Sequence, residues 1–132
     1  MRVFVDTSAI MAILHHNDKN HAPAKQGWER LINQDAILIC TNYILLETCS
    51  LLQNRVGLVA VKAFEDSIVP LLNIEWVDEA LHQAGVAVLL TANRRHLSLV
   101  DCISFETTRR LGLDAVFAFD QHFVEQGFTC LS

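Results

Sequence analysis

Short, continuous apolar runs alternate with helix-like segments along this chain, and few folds accommodate that order. Val3-Phe4-Val5, Ala36 to Cys40, Leu71 to Val77 and Asp114 to Phe119 have the length and content of strands, with a last one over Phe128 to Leu131. A strand that is apolar at successive positions is covered on both faces, as in a parallel sheet. Between the strands, Ala9 to His15 reads as a short helix. Ala24 to Asn33 reads as another, with Trp28, Leu31 and Ile32 on one face. Thr41 or Asn42 caps a third that runs to about Arg55, with Leu45, Cys49, Leu52 and Val56 at helical spacing. Further helices are expected over Leu58 to Val69, from the cap Asp78 to about Thr91, and from Ser98 to Leu111. Such alternation predicts an α/β domain with a mainly parallel sheet.

The 132 residues make a single domain, 1–132, without repeats or a linker. A chain of this size buries roughly 68% of its unfolded surface, so the core needs neither disulfides nor a structural metal. Cys40, Cys49, Cys102 and Cys130 have no paired spacing and read as reduced core or near-core residues. Asp6 interrupts the apolar run near the N-terminus, and Val86 to Leu90 is too short to span a bilayer. A cytoplasmic protein with no membrane partner is expected. The net charge of −5 disfavours a nucleic-acid binder that works through phosphate contacts alone. With such a partner, a metal would have to reverse the local sign.

Most acids have local explanations. Glu29 follows Lys25 by four residues, Glu65 and Asp66 follow Lys62, and Glu106 precedes Arg109 and Arg110. Glu47 has none: its neighbours at three and four residues are Tyr43, Ile44, Ser50 and Leu51. A carboxylate in such surroundings needs a distant cation or a metal. Asp101 admits two readings, because Ser98-Leu99-Val100-Asp101 matches a capping box in type and yet no cation stands nearby. Asp6 and Asp120 end strands, where a turn role is the plain alternative. In an open α/β sheet, strand ends and the helix starts that follow them gather along one edge. Four carboxylates meeting there would suit Mg²⁺ or Mn²⁺.

These stretches together resemble the successive motifs of PIN-domain ribonucleases. The likeness rests on Phe4 to Ala9, Thr41-Asn42-Tyr43 through Glu47, Ser98 to Asp101 with Ser104-Phe105, and Phe119 to Phe123. It is nearest to the toxins of bacterial type II toxin–antitoxin systems. The resemblance implies a three-layer α/β/α fold with a five-stranded sheet of order 3-2-1-4-5, so that Asp6 and Asp120 face each other at the switch point. It implies that Asp6, Glu47, Asp101 and Asp120 are the catalytic and metal-holding acids, with Thr7 or Ser8 at a supporting hydroxyl position. It also implies an RNA substrate, a small antitoxin partner and a homodimer.

The implied reaction is metal-assisted hydrolysis of RNA phosphodiesters. Arg94, Arg95, Arg109 and Arg110 are candidate phosphate contacts, with solvated helix ends as the alternative. His15, His16 and His21 read as a polar loop rather than a zinc site, while His122 is placed near the acids. An aspartyl-nucleophile phosphatase fits less well, since Ser8 stands where a second acid is needed and no lysine follows Lys62. A nuclease of RNA processing outside a toxin–antitoxin pair, or a non-catalytic binding module, are the other readings.

Overall fold

The computed structural model describes residues 1–132. Strands β1 (Arg2–Val5), β2 (Ile37–Thr41), β3 (Leu72–Glu75), β4 (Ala115–Phe117) and β5 (Cys130–Leu131) form one sheet of order β3-β2-β1-β4-β5. Every pairing is parallel. β1 lies centrally, with Val3 opposite both Leu38 and Ala115, and Val3, Phe4, Val5 and Val116 are fully buried. The expected fold class and strand order are therefore those observed.

Seven α-helices connect the strands: α1 (Thr7–Leu14), α2 (His21–Asn33), α3 (Asn42–Arg55), α4 (Leu58–Ala63), α5 (Glu79–Ala92), α6 (Leu99–Leu111) and α7 (Gln121–Glu125). No helix is long and apolar enough to cross a membrane. α6 ends in a Schellman arrangement. Gly112 is left-handed at φ 60°, and the Leu113 N–H donates to the Thr108 carbonyl at 3.0 Å.

Several details depart from the sequence reading, each for a packing reason. α3 buries Ile44, Thr48 and Leu52, whereas Leu45 and Cys49 are half-buried and Val56 is exposed. A polar residue sits mid-stripe because the Thr48 hydroxyl donates to Thr7 Oγ1 at 3.1 Å across the α1–α3 contact. α2 starts earlier, at His21, because Pro23 is tolerated in a first turn. It buries Ala24, Gly27 and Leu31 and leaves Ile32 exposed. The segment after α4 becomes a π-turn (Phe64–Ile68) and a 3₁₀ turn (Val69–Leu71) that bury Phe64 and Ile68. Pro70 has no N–H with which to continue an α-helix. β5 starts late because Phe128 packs in an aromatic cluster instead of the sheet.

That cluster positions the far side of the site. Phe105 of α6 meets Phe123 of α7 edge-on at 5.1 Å between centroids, and Phe123 also packs on Phe4 of β1 at 6.5 Å. Such pairs add about 0.5–1.5 kcal/mol beyond area burial. They bind the two helices to the central strand, just below the acids at the helix starts.

Candidate metal centre

Asp6, Glu47, Asp101 and Asp120 line a single cleft of about 310 Å³ at the carboxyl edge of the sheet. Each comes from a different element. Asp6 follows β1 and caps α1; Glu47 lies in the second turn of α3; Asp101 is in the first turn of α6; Asp120 precedes α7. The structure thus brings together all four acids singled out from sequence. None of them takes part in an ion pair.

Ser8 joins the two central strand ends. Its hydroxyl donates to Asp6 Oδ2 at 2.6 Å and accepts from the Phe119 N–H at 2.9 Å, while its own N–H also reaches Asp6 Oδ2 at 3.0 Å. Ser8 is therefore the hydroxyl that supports Asp6, and Thr7 turns towards α3 through Thr48. β1 and β4 are neighbours, so Asp6 and Asp120 stand at adjacent strand ends in one cleft. The charges that act on Asp6 are those of Asp101 and Glu47, and Asp120 acts on Glu47 and Asp101.

Asp101 forms the capping box read from the sequence and also lines the cleft. Ser98 Oγ accepts from the Asp101 N–H at 3.0 Å, and Asp101 Oδ2 accepts from the Ser98 N–H at 3.3 Å, a complete capping box. The carboxylate nevertheless lines the cleft, and no protein hydrogen bond occupies its Oδ1. Asp120 is arranged alike, with Oδ1 accepting from the His122 N–H at 2.9 Å.

The electrostatics follow from burial without counter-charge. Burial pushes Asp6 up to about 7, against the lowering effect of the Ser8 hydrogen bonds, and the Asp101 and Glu47 charges add to the rise. Glu47 is raised by burial, opposed by the Thr7 hydroxyl, with Asp101 and Asp120 adding. Asp101 is raised first by burial, and Asp120 pushes it the same way. Like-charged carboxylates crowded in one site disfavour simultaneous ionisation. A divalent ion resolves that conflict, and the all-oxygen donors of the four acids fit hard ions. Asp101, Asp120 and His122 also present ligand atoms within 4.8 Å of one another, and the buried His122 Nδ1, 3.6 Å from Glu125 Oε2, makes no hydrogen bond. The residues present fit a metal.

The expected arginine contacts lie elsewhere. Arg94 pairs with Glu125 at 2.9 Å, Arg110 pairs with Glu106 at 3.4 Å, and Arg109 donates to Gln126 while stacking over Phe128. None of these, nor Arg95, lines the acidic cleft. His21 is held by the Ala12 carbonyl and packs on His16, away from the acids. Sequence reasoning missed Arg55, which does line the cleft, as do Asp18 and Asn20. The signal was available: positions 47, 51 and 55 follow one stripe of α3.

The sequence matches the PIN domain over residues 3–128. This chain belongs to the PIN-domain family. PIN domains are nuclease domains that generally depend on a divalent metal. The chain is similar to the 23S rRNA-specific endonuclease VapC20 of Mycobacterium tuberculosis, with 32% identity over 127 residues, 96% of this chain and 95% of that one. The crystal structure of that VapC20, described as a sarcin-ricin loop cleaving toxin, superposes with a TM-score of 0.84 at 30% identity, covering 96% of each chain. FitAcB from Neisseria gonorrhoeae shares the fold, with a TM-score of 0.69 at 18% identity, covering 98% of this chain and 96% of that one.

Proposed function

We propose that this PIN-domain chain is an Mg²⁺- or Mn²⁺-dependent endoribonuclease that acts as the toxin of a toxin–antitoxin pair. One observation carries the reading. Four carboxylates from four elements converge in one cleft with no cation paired to any of them. The substrate class comes from the VapC20 likeness: a structured hairpin of ribosomal RNA, with the sarcin–ricin loop as the first to test.

In this reading Asp6 and Asp101 hold the ion, with Asp6 kept in orientation by Ser8. A divalent ion, when bound, supplies Lewis acidity and the positive charge that draws a phosphate into an acidic cleft. Glu47 and Asp120 would position the attacking water or a second ion. Glu47, whose carboxyl burial raises above its ordinary range, is suited to taking a proton from that water. A small antitoxin with a basic or aromatic segment would cover the cleft and satisfy the same charges. The chain is proposed to act as a homodimer in the cytoplasm.

The purified chain, incubated with a sarcin–ricin hairpin RNA and Mn²⁺ or Mg²⁺, should give one dominant cut that excess chelator abolishes. Full cleavage in chelator would remove the metal from the mechanism. Growth arrest on expression, relieved by co-expressing the neighbouring reading frame, should accompany it. Specific cleavage without arrest would favour the alternative of a nuclease in RNA processing.

A further inference from the structure

We infer that Arg55, at the last turn of α3, grips an RNA phosphate next to the scissile one and sets the strand along the cleft. The inference rests on the nuclease reading and adds the residue that handles the substrate backbone. A polyanion entering a cleft lined by five carboxylates is repelled everywhere except at the metal. Arg55 is the one cation among the residues lining that cleft.

Three observations set it apart from the other arginines. It makes no ion pair and no side-chain hydrogen bond, whereas Arg94, Arg109 and Arg110 are each engaged with Glu125, Gln126 or Glu106, and Arg30 and Arg95, likewise unpaired, do not line the cleft. It shares a stripe of α3 with Glu47 and Leu51, which line the same cleft. Eight residues at the α-helical rise separate Glu47 from Arg55 by about 12 Å along the axis. That offset suits a neighbouring phosphate rather than the scissile one. The plainer role for a cation in a last helical turn is to complement the dipole or bond the free carbonyls. Here the Arg55 side chain bonds none of those carbonyls, and the Leu52 carbonyl is satisfied by the N–H groups of Val56 and Gly57, at 2.9 and 2.8 Å. An exposed, unpaired guanidinium among the residues lining an acidic cleft is suited to meet an oxyanion, which it contacts bidentately.

The test is the salt dependence of RNA binding for the full chain, Arg55→Gln and Arg55→Lys. Fluorescence anisotropy would use a labelled sarcin–ricin hairpin and a mixed-sequence 20-nucleotide RNA, with Ca²⁺ in place of the active metal to limit turnover. Removing one phosphate contact should lower the slope of log K against log salt by about 0.7–0.9 and weaken binding roughly 3- to 10-fold at the lowest salt. Arg55→Lys should keep the slope and lose part of the affinity, because it keeps the charge without the fork. Mn²⁺ affinity by calorimetry and thermal stability should match the unaltered chain in both variants. An Arg55→Gln variant with unchanged slope and affinity overturns the assignment alone. So does one that loses Mn²⁺ affinity and thermal stability together, since that marks a structural role. A chain with native Arg55 that binds Mn²⁺ but neither RNA sinks the nuclease reading, and the assignment with it.

Discussion

The sheet sets aspartates beside strand ends at both of its edges and treats them in opposite ways. At the amino edge, Asp114 precedes β4. Its Oδ2 accepts from the Arg2 N–H at 2.7 Å, and Arg2 Nη1 donates to the Leu111 carbonyl at 2.8 Å, all exposed to solvent. At the carboxyl edge, Asp6 follows β1 and receives two hydrogen bonds from Ser8, yet burial still pushes it up to about 7. Hydrogen bonding alone therefore does not separate a structural acid from a functional one. The difference lies in solvent and counter-charge. Asp114 has water and the neighbouring Arg2, whereas Asp6 has four further carboxylates, of Asp18, Glu47, Asp101 and Asp120, around its cleft.

The largest contrast should come from neutralising the carboxyl edge. Asp101→Asn keeps an oxygen that can accept from the Ser98 N–H, so the capping box survives. Cleavage should fall by more than the roughly 100-fold typical of losing a supporting partner of a metal ligand. Thermal stability in chelator should stay level or rise, because one like charge is gone. Mn²⁺ affinity, read by calorimetry, should weaken sharply. Cleavage retained by a folded Asp101→Asn chain would return this residue to capping alone. Ser98→Ala serves as its counterpart, costing about 0.5–2 kcal/mol through the lost cap while the metal site still works.

The pH dependence of the metal-free chain has the next largest effect. Asp6 is raised in the folded state from 3.8 to about 7, so the folded chain holds a proton there that the unfolded chain releases near pH 4. Stability in chelator should therefore fall as pH rises from about 4 to 7, by on the order of a few kcal/mol, and level off above. Glu47 and Asp101 are shifted in the same direction and steepen the fall. Saturating Mn²⁺ binds the ionised form and should flatten the profile. A melting temperature independent of pH in chelator would mean that the acids are better solvated than their burial implies.

A third region separates stability from function. Gly85 of α5 lies so close to α6 that an added Cβ would stand 2.3 Å from Ile103 Cδ1, and Ile103 is itself fully buried. Gly85→Val should cost about 1–3 kcal/mol through overpacking. Below the melting transition, Mn²⁺ affinity should be unchanged. A loss of affinity without a loss of stability would show that the α5–α6 packing sets the position of Asp101.

The edge that carries the acids was legible in the sequence for local reasons. Asp6 and Asp120 stop apolar runs, Glu47 lacks any cation within a helical turn, and Asp101 stands three residues after Ser98. The parallel sheet followed from apolar runs alternating with helices. What stayed hidden depends on contacts between distant segments. Ser8 meets the Phe119 N–H across 111 residues, and Thr48 meets Thr7 across 41. The second contact turned a polar residue inward and shifted the buried stripe of α3 by one position from the apolar spacing. The same shift accompanies Arg55 on the cleft, whereas the arginine pairs that drew attention in sequence are tied to α6 and α7 partners.

The smallest effect should be at the amino edge, and it tests whether the contrast belongs to environment or to residue type. Asp114→Asn removes a charge from a carboxylate that, like Asp6, accepts a backbone N–H at a strand end. Asn keeps an oxygen for the Arg2 N–H, and water screens the lost attraction to the Arg2 guanidinium. Exposed substitutions of this kind usually change stability by no more than about 0.5 kcal/mol. RNA cleavage and Mn²⁺ affinity should be those of the unaltered chain, because Asp114 lies at the opposite end of β4 from Asp120. The melting temperature in chelator should also show no gain, in contrast to Asp101→Asn, since no neighbouring carboxylate repels Asp114. A gain at Asp114 equal to that at Asp101 would trace both to the net charge of −5 and dissolve the distinction between the edges.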